Sequence, residues 1–149
     1  MESDPLITYR RKPATLDLAA MEGFAELLRR RVAKRTEFHC LITGDAELQA
    51  LNRAFLRQDH PTDVLSFPGI PPYLGDIAIS LARARAQARR FRHSLEDELR
   101  ILMLHGILHL TGLDHESDSG EMARAEQRWR KKLGLPISLT ERSLSERAK

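Results

Sequence analysis

A chain of 149 residues with 42% hydrophobic and 30% charged residues is of one-domain length and ordinary globular composition, enough to bury a core. No run approaches the ~18 apolar residues of a membrane span, and Met1-Glu2-Ser3-Asp4-Pro5 lacks the basic-then-apolar start of an export signal, so a cytoplasmic location and no membrane partner are expected. The single cysteine, Cys40, sits in the apolar run Phe38 to Ile42, which fits a buried strand thiol in a reducing compartment.

In chain order, Leu6 to Tyr9 reads as a short strand, and Leu16, Ala20, Phe24, Leu27 and Leu28 recur at helical spacing, predicting a helix from about Leu16 to Lys34. Phe38 to Thr43 reads as a strand. Gly44-Asp45 opens a second helix with Leu48, Leu51 and Phe55 on its core face, and Pro61 lies beyond its end. Asp63 to Phe67 is extended and stops at Pro68, a Gly/Pro-rich loop follows, and Gly75 to Ser80 alternates as a strand should. An arginine-rich helix runs from about Leu81 to Phe91. Ser94 and Asp97 then cap a helix whose Leu95, Leu99, Ile101, Leu102, Met103, Leu104, Ile107, Leu108 and Leu110 are apolar nearly all round. A last amphipathic helix covers about Ser119 to Leu133, with Met122, Ala125, Trp129 and Leu133 on one side, and the polar tail from Thr140 to Lys149 is expected to fray. The layout is a single α+β domain over residues 1–149: a small sheet of about four strands covered by helices around one central buried helix.

That central helix carries the most informative motif. His105 and His109 are four residues apart and share a helix face. Gly112 can end the helix in the left-handed conformation, and His115 can swing back toward the other two imidazoles. Three histidines converging at the ~2 Å nitrogen distance of zinc, with a fourth position open to water, describe a catalytic site for one Zn²⁺ ion per chain. A single histidine on an apolar segment is more often a hydrogen-bonded core residue, but two imidazoles on one buried helix both need partners, and a shared metal satisfies both. Asp114 reads as a helix-end residue or one that orients an imidazole. Asp63, Ser66 and Asp76 are strand-end positions where local hydrogen bonding is the commoner role, and His39, His60 and His93 have no partner at ligand spacing.

The net charge is only +3, yet basic residues bunch in three places: Arg29 to Arg35, Arg83 to Arg92, and Arg124 to Lys132. Such clusters suit a polyanionic partner, although arginines on helix surfaces are commonly solvated faces paired with glutamate. Beside a metal site they rank phosphodiesters above peptides. In the HExxH zinc proteases a glutamate beside the first histidine is the general base; here that position is Gly106. A zinc protease and a structural-zinc RNA-binding module remain the alternatives, the latter requiring a fourth protein ligand.

The stretch H-G-x-L-H-L-x-G-x-D-H at His105 to His115, the segment Asp59-x-Pro61-Thr62-Asp63-Val64-Leu65-Ser66-Phe67-Pro68, and Gly75-Asp76-Ile77 together resemble the YbeY family of bacterial endoribonucleases, over Asn52 to His115. The resemblance implies a zinc-dependent, single-strand-specific RNA endonuclease acting in rRNA maturation at the small-subunit rRNA 3′ end and in ribosome quality control. It further implies ribosome association, no DNA specificity, and His105, His109 and His115 as zinc ligands. One position departs from the family pattern: an arginine is usual three residues before the first aspartate of the Asp-x-Pro-Thr segment, and Leu56, read here as core, stands there. Arg57 is the nearest substitute and the candidate catalytic cation, with Arg53 one helical turn before it.

Overall fold

The computed structural model describes residues 4–56, 62–113, 119–137 and Arg142. Among these residues four strands and five helices follow in the order β1 (Ile7–Tyr9), α1 (Leu18–Arg31), β2 (Glu37–Thr43), α2 (Asp45–Leu56), β3 (Val64–Pro68), β4 (Tyr73–Ser80), α3 (Leu81–Phe91), α4 (Leu95–Leu110) and α5 (Glu121–Leu133). The strands form one mixed sheet in the order β1-β2-β4-β3, with β1, β2 and β4 parallel and β3 antiparallel at the edge. This is the α+β layer fold the sequence pattern predicts. No described helix is long and apolar enough to cross a membrane.

Local chemistry sets the element ends. Asp17 accepts a hydrogen bond from the Ala20 amide at 3.0 Å and so starts α1 two residues later than its apolar period suggests, while left-handed Lys34 and Arg35 turn the chain toward β2. Ser80 and Ser94 cap α3 and α4 in the same way. The Glu22 carboxylate on α1 accepts from the Leu6 and Ile7 amides at 2.7 and 3.1 Å, tying the short edge strand to the first helix.

One face of the sheet, with Phe38, Cys40 and Ile42 from β2 and Ile77 and Ile79 from β4, packs against α1 and α4 and forms the main core. Helix α4 is buried continuously from Glu98 to Leu108, except for half-exposed Arg100. Burial pushes the Cys40 thiol pKa well up, as expected of an inert core cysteine. The opposite face carries only a small cluster, Leu48, Leu65 and Ala78, under α2. Here two expectations are corrected. Leu48 is buried and Leu51 half-buried, but Phe55 is 68% exposed even though its ring meets Phe67 of β3, and Leu56, read as core, is 41% exposed: the end of α2 lies at the margin of the packed cluster.

The tail also departs from expectation at Arg142. Its guanidinium is buried and forks onto the wholly buried Glu98 carboxylate, with bonds of 3.0 and 2.8 Å, and stacks on the Phe91 ring 4.4 Å from its centroid. His93 Nε2 closes on the same carboxylate at 2.6 Å. A buried carboxylate at the start of α4 therefore draws a distant arginine into the core. Arg142→Ala is expected to lower unfolding free energy by about 3 kcal/mol in urea titration, because it strands a buried charge. Arg142→Lys should recover little, since an ammonium cannot reproduce the fork.

Candidate metal centre

Helix α4 carries His105 and His109 on successive turns, their ring centroids 5.6 Å apart and their planes at 65°. His105 is buried and His109 half-buried. The third expected ligand, His115, lies outside the described residues, as do Arg57, Asp59, His60 and Asp114. Among the described residues no three His, Cys, Asp or Glu side chains form a metal-sized cluster, so the described part of the site is the histidine pair and what braces it.

The brace is Glu126 on α5. Its Oε2 lies 3.0 Å from His105 Nδ1, and both side chains are buried. A carboxylate only accepts, so this bond holds the proton on Nδ1 and makes Nε2 the basic nitrogen of the ring. The other carboxylate oxygen, Oε1, is buried with no hydrogen-bond partner among the described residues. A buried carboxylate answered by one N–H is under-compensated, and a cation held at Nε2 would supply the missing charge through the ring. The residues thus fit an imidazole-preferring metal such as zinc, with Glu126 as the outer carboxylate that orients its ligand. Sequence reasoning assigned that kind of role to Asp114 and missed Glu126. The signal was present: Glu126 stands four residues after Met122 and three before Trp129, a charged side chain inside the apolar stripe of α5.

Glycines let α4 approach the sheet. A Cβ on Gly106 would lie 3.0–3.1 Å from three atoms of Ile77, and the Gly106 carbonyl accepts from Ser66 Oγ at 3.3 Å. At Gly75, with φ +148°, a Cβ would stand 2.3 Å from the Phe67 carbonyl oxygen and 2.9 Å from Leu110. The strand motif around Gly75 and the helix motif around Gly106 are therefore two sides of one contact, which seats the histidine pair against β3 and β4. Of the other polar candidates, Asp76 bonds locally, accepting from the Tyr73 hydroxyl, whereas Asp63 accepts from the Val64 amide and also, across the fold, from Gln87 on α3.

Of the basic clusters, Arg29 pairs with Glu26 and Arg83 with Asp45, whose carboxyl pKa is held low first by that hydrogen bond. On α5, Arg124, Arg128, Lys131 and Lys132 are exposed, so the helix that braces His105 from inside turns a cationic face outward. Because a Cβ at Gly106 would press on the wholly buried Ile77, which would have to yield by a few tenths of an ångström, Gly106→Ala is expected to destabilise the protein by about 1–3 kcal/mol, the usual cost of overpacking, measured by thermal or urea denaturation.

Fold and site together define an α+β protein built around a buried helix with a carboxylate-braced histidine pair. The family model described as Endoribonuclease YbeY matches residues 9–134. The Endoribonuclease YbeY of Solibacter usitatus is 61% identical over 136 residues, covering 91% of this chain and 92% of that protein. That of Koribacter versatilis is 46% identical over 139 residues, covering 93% and 91%. The solution structure of TM1509 from Thermotoga maritima superposes with a TM-score of 0.57 at 30% identity, covering 83% of this chain and 85% of that one. With this extent of agreement, the chain belongs to the Endoribonuclease YbeY family.

Proposed function

We propose that the protein is a zinc-dependent endonuclease of single-stranded RNA that acts in rRNA maturation, at the small-subunit rRNA 3′ end, and in ribosome quality control. The observation that carries this reading is the His105–His109 pair on a buried helix, braced by Glu126, in a chain of this family. His115 is the third ligand in this reading. Zinc held by these histidines would supply a water acidified to near neutrality, a nucleophile for phosphodiester hydrolysis that needs no side-chain base.

The chain's own residues do the rest. His105 and His109 present nitrogens from a helix enclosed along most of its length. Glu126 keeps the Nδ1 proton in place. A guanidinium beside the scissile phosphate offsets the charge that grows on its oxygens in the transition state. Helix α2 is described through Leu56 and Arg57 follows it directly, which makes Arg57 the candidate for that cation, with Arg53 the alternative. Peptide hydrolysis is disfavoured by Gly106: the position of the HExxH base is packed against Ile77.

The purified protein is expected to hold one zinc ion, and His109→Ala to lose it while its far-ultraviolet circular dichroism persists. Full metal occupancy in that variant would remove the site. Glu126→Ala should weaken zinc affinity about 10–100-fold in competition with a chromophoric chelator, the usual effect of losing an outer carboxylate. Cleavage of single-stranded RNA should stop with chelator, and RNA affinity should fall steeply with salt. Cutting of unfolded polypeptide, with RNA left intact, would decide for the protease. Zinc-loaded Arg57→Ala should lose about tenfold or more in cleavage rate, equivalent to ~1.4 kcal/mol of barrier, and Arg53→Ala clearly less.

A further inference from the structure

On the face of the sheet away from α4, a cavity of about 390 Å³ opens beside the exposed end of α2. Its floor is apolar, made by Leu41, Leu51, Phe67 and Ala78, and Phe55 forms a wall. Thr8, Arg10, His39 and Asp76 make a polar rim. Nothing in the hydrolytic reading above uses this cavity.

Three observations bear on what it holds. Phe55 is 68% exposed, and its ring meets that of Phe67 edge-on, with centroids 5.8 Å apart at 73°. Rings at that angle do not stack on each other, so a third planar ring can lie against one of them. Next, the rim is cationic at one end: Arg10 lines it, and Arg11 and Lys12 follow, all three exposed. The pair of Arg10 with Glu47 at 2.9 Å is itself solvent-exposed and so weak enough for a phosphate to replace. At the other end stands the Asp76 carboxylate, held by the Tyr73 hydroxyl at 2.5 Å. Burial first, then this hydrogen bond, push the Tyr73 pKa up, which keeps the phenol a donor.

We propose that this cavity is a nucleobase subsite for single-stranded RNA, taking guanine against Phe55 with its Watson–Crick edge on Asp76 and a phosphate toward Arg10. The inference rests on the reading of the protein as an RNA endonuclease. An apolar slot with an exposed aromatic and a cation at its mouth is what a splayed-out base of a single strand requires. Asp76 selects among bases, because a carboxylate only accepts hydrogen bonds. Guanine presents two adjacent donors, N1–H and the N2 amine. Adenine and cytosine set an acceptor beside their one amine, and uracil flanks its donor with two acceptors. The cavity and the histidine pair share strand β4 from its two sides: Asp76 lines the cavity, and the preceding Gly75 packs against Leu110, the neighbour of His109.

The test is titration of the full-length protein with 5′-GMP and 5′-AMP, followed by backbone amide shifts. GMP should move the amides of Thr8, His39 and Asp76 and bind about tenfold tighter than AMP. Asp76→Asn should erase that preference, and Phe55→Ala, at an exposed position that leaves the fold intact, should weaken both nucleotides about tenfold. Equal binding of the two nucleotides, shifts confined to other surfaces, or a preference unchanged in Asp76→Asn would overturn the subsite. Groove shifts with an added apolar peptide but none with GMP would overturn it in favour of a protein partner. Cleavage of polyuridylate by the wild-type protein is read in parallel: cleavage without groove shifts from GMP removes the subsite and leaves the nuclease standing. Groove binding of GMP with the Asp76-dependent preference, in zinc-loaded protein that cuts no single-stranded RNA, supports the subsite and removes the nuclease.

Discussion

Helix α4 has almost no polar face, and its enclosure governs the rest of the molecule. A helix apolar all round must be covered from every side, and here the sheet, α1, α3 and α5 do so. Enclosure in turn makes each polar group on α4 expensive unless it is answered. Glu98 is answered by Arg142 and His93, and His105 by Glu126. Those two polar groups stand seven residues apart on the helix, about two turns. The first anchors the fold, and the second prepares a basic ring nitrogen at a defined place.

The sheet has two unlike faces. Its α4 side is sealed by close approaches that only glycine permits, at Gly75 and Gly106. Among the described residues the α2 side is covered over part of its width, because the 12-residue α2 fully buries Leu48 and Asn52 but leaves Phe55 exposed at its edge. One layer is therefore dense enough to fix a reactive group, and the other leaves concave surface beside the same strand β4.

Elements with strong periodicity were legible from the residues alone. The nine elements follow the chain order expected of them, and α3 has the expected ends, because apolar spacing and capping side chains act within a few residues. The histidine pair was legible for the same reason. Phe55 was misplaced because periodicity tells which side of a helix is apolar, not how much of that side its neighbours cover. Glu126 was overlooked because its partner lies 21 residues earlier, and Arg142 because its partner lies 44 residues earlier. A pairing across such a distance leaves no local pattern, and in each case the cue is one charged residue out of keeping with its surroundings.

The Glu98–Arg142 clamp sets an order of events during synthesis. Glu98 is synthesised before the arginine that neutralises it, and at roughly 5–20 residues per second the separation of 44 positions takes roughly 2–9 s. Throughout that interval the growing chain has the apolar body of α4 but only His93 to offer its first buried charge. The central helix is thus complete in the chain before the side chain that closes over its first buried charge has been made.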